Sequence, residues 1–279
     1  MNTFFNIGKI QVGGKSPLVL IAGPCQIESE THAQHMAGSI LGITRKLGIP
    51  LIYKSSFDKA NRSSAVTPRG VGIDEGLKIL NGIKHLYGIP VLTDIHESYQ
   101  AQVCADAGID VLQIPAFLCR QTDLLIAAGR TGCVINVKKG QFVAPADMKN
   151  VAEKIASTGN KRIMLCERGY THGYNNLVVD MRSLPIMAHT GYPVVYDATH
   201  SVQQPGALGS SSGGDRRMVA PLARAAIATG SVAAVFIETH QDPDSAPSDG
   251  PNMVPLSDLE RLITQLNFLH QNVQQYFED

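Results

Sequence analysis

Cys25 follows Gly23-Pro24 at the end of an apolar run, His200 ends another, and Glu238 lies two residues before the end of a third. A thiolate, an imidazole and a carboxylate are a donor set for a divalent transition metal. A fourth ligand could come from the acidic loop 241–249, where spacing does not choose among Asp242, Asp244 and Asp249. His96 and His240 are rival ligands on the same grounds. Other runs end in Lys54, Lys59, Arg62, Lys138, Lys139 and Arg168. Cations gathered in a half-dry cavity demand anions, so phosphorylated and carboxylated ligands are expected. Arg168 suits a bidentate grip on phosphate, while Lys54 and Lys138 supply compact charge. Lys139 must point to the opposite face of its strand from Lys138 and is expected to solvate a rim.

Eight apolar runs carry these residues: Leu18–Cys25, Leu51–Phe57, Val91–His96, Val111–Phe117, Val134–Gly140, Arg162–Gly169, Val194–His200 and Ala234–His240. They are continuous rather than alternating, as strands buried on both faces should be. Glycines at 48, 88, 108, 132, 159, 191 and 230 each close an amphipathic stretch and precede a run, which reads as seven helix stops followed by strands. Helices are expected at Asp74–Tyr87, Pro145–Ser157, Arg217–Thr229 and from about Leu256 to Phe277. Strands alternating with helices mean parallel β, and eight such units in 279 residues match a closed (β/α)8 TIM barrel in the α/β class better than an open doubly wound sheet. The expected organisation is one barrel domain over residues 1–279. Phe5-Asn6-Ile7 and Ile10-Gln11-Val12 flank Gly8-Lys9 as a hairpin, within residues 1–14, that closes the N-terminal end. The Gly/Ser-rich loop 204–216 is expected to be mobile over the opposite face.

In such a barrel the chemistry lies at the C-terminal strand ends. The first, seventh and eighth strands are neighbours once the barrel closes, so Cys25, His200 and Glu238 can meet. Asp94 and His96 end the third strand, Gln113 and Ala116 the fourth, and both are candidates for the same rim.

Composition narrows the class. Of the residues, 44% are hydrophobic, and 24 Lys and Arg balance 24 Asp and Glu, which argues against nucleic acid or an acidic membrane as partner. The neutral sum is expected to hide basic charge at one mouth offset by acids elsewhere. No stretch approaches the roughly 18 apolar residues of a membrane helix, and no export signal is evident at the start. Five scattered cysteines make a disulfide framework improbable, so a cytoplasmic protein is expected.

The strand ends resemble those of the 3-deoxy-D-manno-octulosonate 8-phosphate synthase family. The most specific stretch runs from Lys54-Ser55-Ser56-Phe57-Asp58-Lys59 through Ala60-Asn61-Arg62-Ser63-Ser64. It is supported by Gln113-Ile114-Pro115-Ala116-Phe117, Asn136-Val137-Lys138-Lys139, Asp197-Ala198-Thr199-His200-Ser201-Val202-Gln203 and Ser248-Asp249-Gly250-Pro251. The resemblance implies condensation of phosphoenolpyruvate with D-arabinose 5-phosphate and water, giving the eight-carbon sugar phosphate and inorganic phosphate. That is a step towards the inner-core sugar of lipopolysaccharide.

The family divides into metal-free members, with Asn after Gly-Pro, and metal-dependent members with Cys there. Cys25 places this chain with the second. The resemblance then implies one divalent ion (Zn, Fe, Mn or Co) on Cys25, His200, Glu238 and Asp249. It implies that Lys54, Ser56 and Lys59 surround the phosphoenolpyruvate carboxylate, that the Ala116 N–H, Lys138 and Arg168 surround its phosphate, and that Gln113 lies close by. Arabinose 5-phosphate is expected on Asn61, with its phosphate on Arg62 and Ser63. Arg120 resembles a residue that reaches the sugar phosphate of an adjacent subunit in a homotetramer. Cys25, His200, Asp94, His96 and Lys59 are the candidate catalytic groups, with His200 and Asp94 or His96 as proton carriers. The nearest alternative is 3-deoxy-D-arabino-heptulosonate 7-phosphate synthase, which takes erythrose 4-phosphate and carries a Lys-Pro-Arg type pattern where this chain has Ala60-Asn61 between Lys59 and Arg62. A non-catalytic sugar-phosphate-binding barrel is a third reading.

Overall fold

All seven glycines read as helix stops have positive φ, from 64° to 90°. Gly48 shows the device: at φ 66° it turns the chain out of a helix while its N–H caps the carbonyl of Arg45 and Ile49 bonds back to Thr44. The computed structural model describes residues 4–61, 69–207 and 212–276. Its elements begin with a hairpin, β1 (Phe5–Ile7) and β2 (Ile10–Val12), followed by β3 (Val19–Gly23), α1 (Glu30–Leu47), β4 (Leu51–Lys54) and α2 (Ile73–Tyr87). Then come β5 (Val91–Asp94), α3 (Ser98–Asp106), β6 (Val111–Ile114), α4 (Thr122–Arg130), β7 (Val134–Lys138), α5 (Met148–Ala156) and β8 (Ile163–Glu167). The chain continues through a small pair, β9 (Tyr170–Thr171) and β10 (Leu177–Val178), then α6 (Ser183–Ala188) and β11 (Val194–Asp197). A second small pair, β12 (Gln203–Gln204) and β13 (Gly213–Gly214), precedes α7 (Val219–Ala228), β14 (Val232–His240), β15 (Val254–Pro255) and α8 (Leu256–Tyr276).

The eight parallel strands β3, β4, β5, β6, β7, β8, β11 and β14 pair in that order, and pairing of β14 with β3 closes the ring. The structure is therefore the expected (β/α)8 barrel. Its expected helices are present too, the starts at Pro145 and Arg217 taken up by short 3-10 turns ahead of α5 and α7. Seven of the eight strands stop two or three residues earlier than their apolar runs, because the polar ends leave the ladder to form the loops of the mouth, whereas β14 continues through His240.

Two apolar layers hold the barrel. One lies between strands and helices, with Leu20, Tyr53, Leu112 and Leu165 facing α-helical residues such as Ile40, Leu80 and Leu125. The other fills the interior with Val19, Ile21, Ile52, Leu92, Val111, Val134, Met164, Val195 and Phe236. Ile7 and Val12 of the hairpin belong to this inner layer, so the hairpin closes the N-terminal end as expected.

Gly23 sits where two strands approach most tightly: a Cβ there would lie 1.9 Å from the Lys54 carbonyl oxygen. Gly23→Ala is expected to push β3 from β4 and to cost about 1–3 kcal/mol of stability, read as a lower urea midpoint with an unchanged slope. Among the described residues, no helix is long and apolar enough to cross a membrane.

Candidate active site

Period-two alternation builds the mouth. Moving two residues along each strand from its last interior apolar residue gives Lys54 after Ile52, Asp94 after Leu92, Gln113 after Val111 and Asn136 then Lys138 after Val134. The same step gives Arg168 after Cys166, Asp197 after Val195 and Glu238 after Phe236. These side chains form a polar layer on top of the apolar plug, with Lys138 Nζ 3.3 Å from the centroid of the Phe236 ring. Above them opens a cavity of about 780 Å³, also lined by Lys59, Asn61, His96, Ala116, His200, Gln203 and Asp249. That size suits small ligands.

Cys25, Glu238 and Asp249 offer ligand atoms within 4.8 Å of one another. Cys25 Sγ donates to Asp249 Oδ2 at 3.1 Å, and Glu238 Oε1 accepts from Lys54 at 2.7 Å while Glu238 Oε2 is buried without a partner. His200 Nε2 stands 3.6 Å from that orphan oxygen, outside the tight set but at its edge. The His200 Nδ1 contacts Asp197 Oδ2 at 2.8 Å, an arrangement that leaves Nε2 free as a ligand. Asp249 is held at φ 56°, an uncommon conformation for a side-chain-bearing residue, with Oδ1 fixed by Gln203 at 2.7 Å.

Burial, Glu238 and Asp249 push the Cys25 thiol well above its ordinary pKa. A nucleophilic thiolate needs the opposite, electropositive setting. The orphan carboxylate oxygen, the oriented imidazole and a thiol between two carboxylates fit a divalent cation, and a cation would supply the charge that Cys25 needs to ionise. His240 lies outside this set, on Glu28 and Asp242, and His96, which lines the cavity, stands edge-on to Phe57.

Two buried ion pairs run through the polar layer. Lys54 bonds Glu238, and Lys138 bonds Asp197, which also accepts from Thr199, from the His200 amide and from the His200 ring. Asp94 accepts from Ser56 and, at 2.5 Å, from Gln113, which in turn accepts from Asn136 at 2.8 Å. Burial alone would raise the carboxyls, but Lys54, His200 and Lys59 outweigh it and hold Glu238 down at about 2. Asp94 is likewise held well below the usual range, by Lys54 and Lys59 against burial, and Asp197 by His200 and Lys138. Burial opposes the charge of Lys59, yet Cys25, Glu238, Asp94 and Asp249 together raise its pKa. Burial lowers the His96 pKa, keeping that imidazole neutral and available to take up a proton.

These depressed carboxyls carry a sign. Glu238 favours the fold above its ordinary value of 4.5, and that contribution is lost as pH falls towards about 2. The urea midpoint is therefore expected to drop steeply over that interval; a midpoint flat from pH 5 to pH 2 would contradict the buried pairs.

Arg168 is 5% exposed, bonds Gln203 Oε1 at 3.0 Å and leaves its other terminal nitrogen buried and unpartnered. That nitrogen is a ready donor for an anion.

Several expectations need correction. Lys139 does not solvate a rim: it is 1% exposed, 3.5 Å from Glu167, and both point outward from the barrel beneath covering loops. The acids that balance the mouth are not elsewhere, since Asp94, Asp197, Glu238 and Asp249 line it with the lysines. Arg120 is exposed and outside the lining, its backbone carbonyl accepting from Lys154. Arg62 and Ser63 lie outside the described residues, as do positions 208–211 of the loop 204–216. Asp197 and Gln203 were not assigned roles from the sequence; their place in the quoted stretches around His200 was the only signal.

A family model described as the DAHP synthetase I family matches residues 2–275. The chain belongs to this family. A 2-dehydro-3-deoxyphosphooctonate aldolase of Granulibacter bethesdensis is 62% identical over 260 residues, 93% of this chain and 92% of that protein. The protein of the same name from Chelativorans sp. is 60% identical, and that of Brucella ovis 58%, each over 265 residues, 95% of both chains. That name is a synonym of the octulosonate phosphate synthase, so the resemblance drawn from the strand ends is borne out.

Proposed function

We propose that this family member condenses phosphoenolpyruvate with D-arabinose 5-phosphate and water, forming 3-deoxy-D-manno-octulosonate 8-phosphate and inorganic phosphate. The observation that carries it is the name shared by relatives at 58–62% identity over nearly the whole chain. The mouth supports it with an orphan guanidinium nitrogen on Arg168 and ammonium groups on Lys54, Lys59 and Lys138 around one cavity.

C3 of the enol phosphate forms the new C–C bond to the sugar aldehyde, water oxygen bonds to C2, and the C2–O bond to phosphate breaks. Lys54, Ser56 and Lys59 hold the carboxylate, Lys138, Arg168 and the Ala116 N–H the phosphate, and Gln113 braces Asp94 beside them. Positive charge developing at C2 is met by carboxylates already ionised in the mouth, Asp94 and Glu238. Protons to and from water and the new alkoxide fall to Asp94 or His96, and to His200 where its Nε2 does not hold the ion. A divalent ion (Zn, Fe, Mn or Co) on Cys25, His200, Glu238 and Asp249 would supply a Lewis acid there. Asn61, Arg62 and Ser63 take the acceptor sugar, and Pro205, Gly206 and Ser212, from the described parts of the loop 204–216, line the cavity beside it. The exposed Arg120 suits a homotetramer in which it serves a neighbour's sugar phosphate. A cytoplasmic enzyme in one barrel domain, on the route to lipopolysaccharide, completes the reading.

The family description also covers the heptulosonate reading, so the test is acceptor choice. Phosphate release from phosphoenolpyruvate is expected with arabinose 5-phosphate and much more slowly with erythrose 4-phosphate. Preference for the four-carbon sugar would overturn the assignment, and binding without release would favour a non-catalytic barrel.

A further inference from the structure

Glu28, His32 and His240 form a second cluster whose ligand atoms lie within 4.8 Å of one another. None of the three lines the catalytic mouth. Glu28 follows Cys25 by three residues, His32 sits in the first turn of α1, where the Ser29 side chain accepts from the His32 N–H, and His240 ends β14. Glu28 Oε1 is 2.9 Å from His240 Nε2 and 3.6 Å from His32 Nδ1, and the two rings stand 4.9 Å apart.

The far nitrogen of each ring is tied to a carbonyl oxygen. His32 Nε2 lies 2.8 Å from Gln241 Oε1, and His240 Nδ1 lies 2.7 Å from the Asp242 backbone oxygen, the shorter of its two contacts with that residue. A carbonyl can only accept, so the first contact puts the His32 ring proton on Nε2 and leaves a lone pair on Nδ1; at His240, Nδ1 faces the Asp242 oxygen and Nε2 faces the Glu28 carboxylate, both acceptors, so an ion in place of the Nε2 proton would satisfy both. His32 Nδ1 is buried with no hydrogen-bond partner. An imidazole whose outer N–H is held by a carbonyl and whose inner nitrogen is unpartnered, beside a second imidazole set between two acceptors, converges with it on one carboxylate, as in a metal-binding shell. Glu28 is open to solvent, which leaves room for water in a fourth position.

We propose that Glu28, His32 and His240 form a second divalent-cation site, of zinc type, on the outer side of the rim. Gln241 and Asp242, which orient its histidines, begin the loop that carries Asp249, so an ion here fastens that loop to the start of α1. Gln241 is a positioning residue in this site, acting through His32.

The test is zinc binding by equilibrium dialysis, with cobalt spectra as a second readout, on folded full-length chains. In Cys25→Ser, the cobalt-loaded protein is expected to show ligand-field bands without thiolate charge transfer. Adding His32→Asn is expected to lower the zinc content by one ion per chain, with far-UV circular dichroism unchanged. Gln241→Ala is expected to weaken this ion about 10- to 100-fold, and Gln241→Glu to restore it. Equal zinc content in Cys25→Ser with and without His32→Asn, or none in either, would overturn the site and leave Glu28 and His240 as a plain hydrogen-bonded pair.

Discussion

In Cys25→Asn, turnover is expected to persist after chelation, whereas the wild-type rate is expected to fall about 100-fold or more when the ion is stripped and to return when a divalent ion is added. That factor corresponds to roughly 3 kcal/mol of transition-state stabilisation, within the range of a Lewis acid. The physical reason lies in the set around Sγ. The thiol donates to Asp249 Oδ2 at 3.1 Å, and an asparagine amide in its place can make the same donation without ionising. The buried carboxylates then keep an uncharged hydrogen-bond donor instead of a metal-bound thiolate, and Lys54 continues to neutralise Glu238 at 2.7 Å. Full wild-type activity in a metal-free preparation would make Cys25 a core thiol. Loss of all activity in a folded Cys25→Asn chain would contradict the substitution logic.

The second large effect falls on Lys138. It is 5% exposed, bonds Asp197 and sits over Phe236, while Asp197 also aims the His200 ring. Lys138→Met leaves a buried carboxylate without its cation, and breaking a buried pair from one side costs about 3–5 kcal/mol. Activity is expected to fall at least 100-fold as well, because the substrate phosphate loses a point charge. The double variant Lys138→Met/Asp197→Leu separates the two effects. Removing both partners is expected to recover most of the stability but none of the activity. Recovered activity in that double variant would show that neither group serves the reaction.

The barrel was legible because two local rules agree in this chain. Gly48 and its six counterparts mark helix ends by a conformation that side chains resist, and continuous apolar runs mark strands covered on both faces. The mouth followed from alternation: Lys54, Asp94, Gln113 and Glu238 stand one period, and Lys138 two periods, beyond interior apolar residues. The same rule misled at Lys139. Its outward direction was right, but the outer face of a barrel strand is packed under helices and loops, so the side chain is buried against Glu167 instead of meeting solvent. Charge bookkeeping also misled, since a neutral sum does not say where the acids lie. Asp94, Asp197, Glu238 and Asp249 line the same cavity as the lysines. Asp197 escaped although it lies three residues before His200, because the turn that brings its carboxylate back to the ring has no pattern of its own, and Gln203 because it meets Asp249 46 residues away. The Glu28, His32 and His240 cluster escaped for the same reason, as it joins segments more than 200 residues apart.

The reaction is expected to form a carbon–carbon bond between phosphoenolpyruvate and arabinose 5-phosphate and to cleave the C2–O bond. It is tested most directly by incubating the purified, metal-loaded protein with both substrates in 18O-water and following 13C-labelled C2 and the phosphate by nuclear magnetic resonance. C2 is expected to move to the ketal-type carbon of an eight-carbon product, and the released phosphate to carry no solvent 18O. Phosphate labelled with 18O, or released at the same rate without the sugar, would contradict it.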